Sequence, residues 1–237
     1  MLPVVPRTRP SKWVCKTMTV MKSSLPDMLS SMESDCEDAP VATLSLRDAL
    51  RAATRAEHDD IENRMNLARE DYTREEYGQL LQRYHAFYEV FEAFLSERVR
   101  ASSRVADFYY RDRRKVPWLE SDLHALGLPR GSLRDAALAD DLREQFADDA
   151  RLLGALYVVE GSMLGGAVLA KQFKRRFELT AQSGLQFFTG YGADTKARWM
   201  DLQQLLSQYD DDARARSEAI EGARRMFQLF GQHLTAS

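Results

Sequence analysis

The strongest constraint on the fold is a period. From Ser45 onward apolar residues recur every three to four positions, and no stretch alternates like a β-strand, apart from apolar runs too brief to decide. In SLRDALRAATRAEHDDIENRM, Leu46, Ala49, Leu50, Ala53, Ile61 and Met65 form one stripe. Ser45, with Asp48 three residues on, has the spacing of an N-terminal cap. A second helix opens at TREE, where Thr73 and Glu76 match a capping box, and runs through Tyr77, Leu80, Leu81, Tyr84, Phe87, Tyr88, Phe91, Phe94 and Leu95. That stripe is broad enough to be buried against two neighbours. Further helices are expected at PWLESDLHALG, SLRDAALADDLREQF, LYVVEGSMLGGAVLAKQF, TKARWMDLQQLLSQY and ARARSEAIEGARRMFQLFGQHL. The expectation is one all-α domain over residues 44–237, with no internal repeat to suggest a solenoid.

Residues 1–43 break the pattern. Pro3, Pro6, Pro10, Pro26 and Pro40, many serines and the lack of any sustained period read as a disordered extension. The stretch up to Pro26 is basic and free of acids, as in a transit peptide, yet no amphipathic helix is evident. A translation start at Met28 or Met32 is the alternative. Cys15 and Cys36 both fall in this stretch, so the helical body has no disulfide, which suits a reducing, cytoplasmic setting. Lys and Arg total 33 against 36 Asp and Glu, interleaved, so no uniformly basic face is available for nucleic acid. No window is expected to reach the uninterrupted apolar length of a membrane span.

The glycine-bearing stretch from Leu156 to Phe173 departs from good helix sequence. Gly161, Gly165 and Gly166 each cost a helix about 1 kcal/mol relative to Ala, so the segment must recover roughly 3 kcal/mol in packing or in a ligand. Gly161 with Gly165, and Ser162 with Gly166, are four apart and leave strips with little side chain. Such strips admit close approach by a neighbouring helix or by a planar cofactor. Taken alone, they favour helix packing.

Among the histidines, His58 has Glu62 one turn later, close enough for the carboxylate to meet the imidazole. A metal-bound histidine usually donates its second ring N–H to such an oxygen. The same spacing is common in ordinary helix-surface pairs, and spacing alone favours that reading. His85, beside Phe87 and Tyr88, reads as a partly buried aromatic neighbour. His124 and His233 fall near helix ends, where charge complementarity accounts for them. No HExxH, paired ExxH or CxxC motif occurs.

In combination these motifs are more specific. LRAATRAEH with Glu62, then LYVVEGSMLGG about a hundred residues later, then FFTGYGADTKARW, resembles the heme oxygenase family in order and spacing over essentially Leu44 to the C-terminus. The last block is similar to the bacterial, bacteriophytochrome-associated branch. The resemblance implies an all-α fold with heme sandwiched between a proximal and a distal helix. It implies His58 as proximal ligand of the heme iron, Glu62 as its hydrogen-bond partner and Arg51, two turns earlier, at a heme propionate. Lys196 and Arg198 are further propionate candidates, and Gly161, Ser162, Gly165 and Gly166 form the distal helix. It implies oxidative cleavage of heme to biliverdin, carbon monoxide and iron, with O₂ and electrons from an external donor of ferredoxin or flavoprotein reductase type. The branch makes a phytochrome one candidate biliverdin acceptor, with iron acquisition and simple heme disposal as the alternative uses of the reaction. Ser162 stands where the mammalian-type motif has an acid, which leaves the proton-delivery group unassigned, and Lys196 replaces a small residue. A non-catalytic heme- or bilin-binding helical protein and a cofactor-free interaction module are the alternatives.

Overall fold

The N-terminal signals act where the sequence places them. The Thr73 hydroxyl accepts a hydrogen bond from the Glu76 amide while the Glu76 carboxylate accepts one from the Thr73 amide, and from this capping box helix α3 runs over Arg74–Arg100. It follows α1 (Leu46–Ala53) and α2 (Arg55–Met65), and precedes α4 (Arg104–Tyr110), α5 (Val116–Ala125), α6 (Ala136–Gln145) and α7 (Asp149–Phe177). A short α8 (Gln186–Thr189), α9 (Thr195–Ser207) and α10 (Ala213–His233) complete the order. The structure, a computed structural model, describes residues 44–132 and 136–235, among which there is no strand. The expectations for residues 1–43 lie outside the described residues.

The core forms where the α3 stripe meets α7, α8 and α10. Tyr77 packs on Phe173 of α7 with ring centroids 5.0 Å apart, Tyr84 on Phe187 of α8 at 4.7 Å and Phe87 on Phe230 of α10 at 5.2 Å. All six rings are buried. Helix α7 crosses α10 so closely that only glycines fit: a Cβ on Gly154 would lie 1.8 Å from the Ala219 carbonyl oxygen, and one on Gly222 would lie 2.1 Å from that of Arg151. By length and composition α7 is apolar enough to cross a membrane, which corrects the expectation that no window reaches that length. Its apolar residues are consumed by the core instead, Leu152, Leu153, Leu156, Val159 and Phe173 being fully buried.

The stretch from Ser45 to Met65, which the period suggests is one helix, is two. Thr54 leaves helical geometry at φ −113° and ψ 14°, with its hydroxyl donating back to the Leu50 carbonyl at 2.8 Å. A threonine hydroxyl competes with the backbone ladder in this way and bends helices. Arg51 therefore lies in the last turn of α1 while His58 sits on α2, and the two-turn, one-face argument linking them does not carry across the break. Both helices are anchored behind. Asp210 accepts from the Leu46 amide at 2.6 Å, and Arg64 donates to the Gly231 carbonyl at 2.7 Å.

Candidate functional site

Helices α2 and α7 both pack on α10. On the α2 side, the His58 ring meets Phe227 of α10 edge-on at 6.0 Å, and Arg224 of α10 pairs with Glu57 at 3.5 Å. Toward the N-terminal end of α7, Arg47 and Arg51 stand near enough to Tyr157 for their charges to act on its phenol, whose pKa burial raises. At the other end Gln172 donates to the Ala68 carbonyl at 3.2 Å and Arg176 to that of Arg69 at 2.6 Å. Between these ties lies the glycine segment.

The four small residues of α7 do not share one role. A Cβ on Gly165 would meet nothing within 4 Å, so its backbone is open to solvent. Its neighbours on the same face, Leu164 and Val168, are 37% and 61% exposed, and Met200 of α9 is 57% exposed. These are large apolar side chains in water, and Leu164 and Val168, one helical turn apart, flank the bare backbone of Gly165. Gly161 is half-covered, with the Trp199 ring 3.8 Å from where its Cβ would stand. Ser162 donates to the Val159 carbonyl of its own helix at 2.7 Å. Gly166, about a third of a turn round the helix, is buried, with the Phe188 carbonyl 3.6 Å from its would-be Cβ.

His58 projects from α2 with its side chain 52% exposed. Its Nε2 lies 3.6 Å from Glu62 and its Nδ1 lies 3.8 Å from Asp59, both beyond hydrogen-bond length, so neither nitrogen is committed. His58, Asp59 and Glu62 are the one group of metal-capable side chains found among the described residues. The donor set fits a heme iron: a single imidazole with a carboxylate able to orient it, beside an apolar face and a basic rim at Arg47 and Arg51. Arg198 is half-buried and paired with Asp112, and Lys196 is exposed, so no described contact directs either toward His58. His85, expected to be partly buried, is fully buried, with Nδ1 3.2 Å from the Gly131 carbonyl.

The heme oxygenase family model matches residues 44–236. The heme oxygenase of Xanthomonas campestris pv. campestris (strain 8004) is 35% identical over 163 residues, covering 68% of this chain and 89% of that protein. The chain belongs to the heme oxygenase family. Membership makes it a heme-degrading enzyme. The fold agrees: heme oxygenase from Leptospira interrogans superposes with a TM-score of 0.68 at 19% identity, covering 81% of this chain and 98% of that one. The NO- and CO-bound heme oxygenase from Neisseria meningitidis gives 0.64 at 22% identity, covering 81% and 90%. Heme oxygenase 2 from Chlamydomonas reinhardtii, without heme, gives 0.66 at 17%, covering 81% and 96%.

Within this heme oxygenase, three features of the α7 site were not anticipated from sequence. The exposure of Leu164, Val168 and Met200 is not visible in the apolar period, which reads them as ordinary core stripe. The Trp199 ring over Gly161 comes from another helix. Glu160, immediately before Gly161, is fully engaged in a buried ionic cluster with Arg113 and Lys115. That last residue had a signal, since it is the one charged residue between Leu152 and Ala170.

Proposed function

We propose that α2 and α7 form a groove that holds the heme, with His58 as the iron ligand, Glu62 as the group that orients its imidazole, and the Gly161–Gly165 face of α7 over the opposite side of the macrocycle. When bound, heme supplies the iron at which O₂ is activated and is itself the ring opened to biliverdin, with release of carbon monoxide and iron. The observation that carries this reading is the solvent-open backbone at Gly165 between exposed Leu164 and Val168, in a helix whose other large apolar side chains are largely buried.

The chain's own residues then have separable tasks. Glu62 accepts the second imidazole proton and so makes His58 a better donor. Gly165 keeps side-chain atoms away from the reacting face, while Leu164, Val168 and Met200 exclude water from the ring edge. Arg51, with Arg47, offers positive charge to the carboxylates that heme carries at one rim. Lys196 and Arg198 would reach those carboxylates only after rearrangement, Arg198 by leaving Asp112. Electrons come from an external donor of ferredoxin or flavoprotein reductase type, and a phytochrome is a fitting recipient of biliverdin. A cytoplasmic location accords with a helical body free of cysteine.

The test is a hemin titration followed by reduction in air. The account expects a Soret band at one equivalent, then its loss on adding ascorbate or a reductase system, with a broad red absorbance from biliverdin. A hemin complex that survives aerobic reduction would leave binding without turnover and contradict the proposed chemistry.

A further inference from the structure

The glycine segment poses a positional problem. On its open side no side chain meets Gly165, so packing there cannot fix how far α7 stands from whatever lies in the groove. Its position must be set from behind. The chain from Phe188 to Tyr191 runs antiparallel along the back of α7, with Phe188 against Gly166, Gly190 against Met163 and Tyr191 against Glu160. The first two contacts are van der Waals contacts and tolerate sliding. The third is directional.

Both Glu160 oxygens are engaged. Lys115 donates to Oε1 at 2.8 Å, Arg113 to Oε2 at 2.9 Å, and the Tyr191 hydroxyl lies 3.0 Å from each. The Lys115 ammonium has three acceptors for its three protons: Glu160, the Arg113 carbonyl at 2.8 Å and the Tyr191 oxygen at 2.6 Å. Arg113 continues to the Arg198 carbonyl at 3.1 Å and to Asp201 at 3.2 Å, which ties the cluster to α9. Arg113, Lys115 and Glu160 are almost fully buried. Burying such charges costs several kcal/mol per ion, so an apolar cluster would stabilise the fold as well or better. What the charged cluster adds is a fixed distance and direction at the residue preceding Gly161. Tyr191 is held for this purpose between Gly190 at φ 56° and Gly192 at φ 59°, left-handed backbone that a side chain would strain.

We propose that Glu160, clamped by Lys115, Arg113 and Tyr191, is a positioning residue for heme oxidation: it sets the height of the Gly161–Gly165 backbone over the substrate. The inference rests on the reading that heme occupies the α2–α7 groove. Glu160→Ala would strand two buried cations and threaten folding. The informative variant is Tyr191→Phe, which removes one hydroxyl and keeps the ion pairs, with Glu160→Gln as its companion. Thr189→Val is the control, losing a hydroxyl of the same segment that bonds the Leu185 carbonyl at 2.7 Å.

Three readouts are taken. In the heme-free protein, amide hydrogen exchange of residues 160–166 should quicken about tenfold or more in Tyr191→Phe, the scale of a hydrogen bond lost to a charged group, and stay at wild-type rates in Thr189→Val. Hemin affinity should stay within about threefold while kcat falls about tenfold at a similar KM, because the loss is in orientation and not in binding. The ferric Soret band should also change its pH dependence, since the distal backbone has moved. A wild-type protein that takes up no hemin sinks the groove reading itself. A wild-type protein that binds and turns over heme, with Tyr191→Phe and Glu160→Gln matching it in exchange, kcat and Soret pH dependence, overturns the positioning role alone.

Discussion

Two glycines eleven residues apart on α7 should respond to the same substitution with opposite signs. At Gly165 an added methyl meets nothing within 4 Å, so Gly165→Ala acts through helix propensity and stabilises the heme-free protein by about 1 kcal/mol. For a domain of this size that raises Tm by roughly 2–4 °C. At Gly154 the methyl would lie 1.8 Å from the Ala219 carbonyl oxygen and 2.9 Å from the Ala223 nitrogen, both backbone atoms that cannot rotate away. Relaxed carbon–oxygen contacts are about 3.3 Å or longer, so α7 and α10 must part by more than an ångström along most of their crossing. The cost belongs at or above the top of the ~1–3 kcal/mol range for overpacked cores, even after the propensity gain. Urea unfolding of the heme-free proteins measures both. Gly165→Leu adds the functional half: leucine is nearly as good a helix former as alanine, so the fold should stand while hemin is excluded or its oxidation abolished. A Gly165→Ala protein as unstable as Gly154→Ala, or a fully active Gly165→Leu, would refute the division of the glycines into groove and packing sets.

Asp122 offers a pH test. Its carboxylate accepts from the Gln186 and Phe187 amides at 2.7 and 2.8 Å, but burial outweighs these bonds and lifts its pKa from 3.8 to about 6. The folded state therefore holds this proton more tightly than the unfolded chain. Its contribution to stability is full below pH 3.8, falls as pH rises through about 6, and amounts to about 3 kcal/mol at most; Asp122→Asn should flatten that slope in urea midpoints measured from pH 4 to 7. At the start of α3, Thr73→Ala removes half of the capping box and should cost about 1 kcal/mol by the same assay, with hemin affinity unchanged.

How much of this was legible in the sequence follows from how far apart the interacting residues lie. The helices α3, α7, α9 and α10 were readable because period and caps are local, and Thr73 with Glu76 needs only three residues of context. The break at Thr54 was not, because a threonine hydroxyl bonding back to Leu50 leaves the apolar spacing on either side intact. The glycine motif was legible as an anomaly, but its division was not. Gly165 and Gly166 are adjacent in sequence, yet one faces water and the other Phe188, and only the placement of α8 tells them apart. The clamp on Glu160 draws on Arg113, Lys115 and Tyr191, separated by 31 to 47 residues, and no window holds them together. His58 and Glu62 were found because one helical turn is enough to pair them.

The central claim, that His58 of α2 and the open face of α7 hold the heme between them, is tested most directly by the spectrum of the hemin complex with and without His58. Wild-type protein should give a Soret band typical of a single imidazole ligand. His58→Ala should shift or weaken that band, and added imidazole should restore it by filling the space left on α2. A His58→Ala complex with the wild-type spectrum and no response to imidazole would contradict the account and place the heme elsewhere.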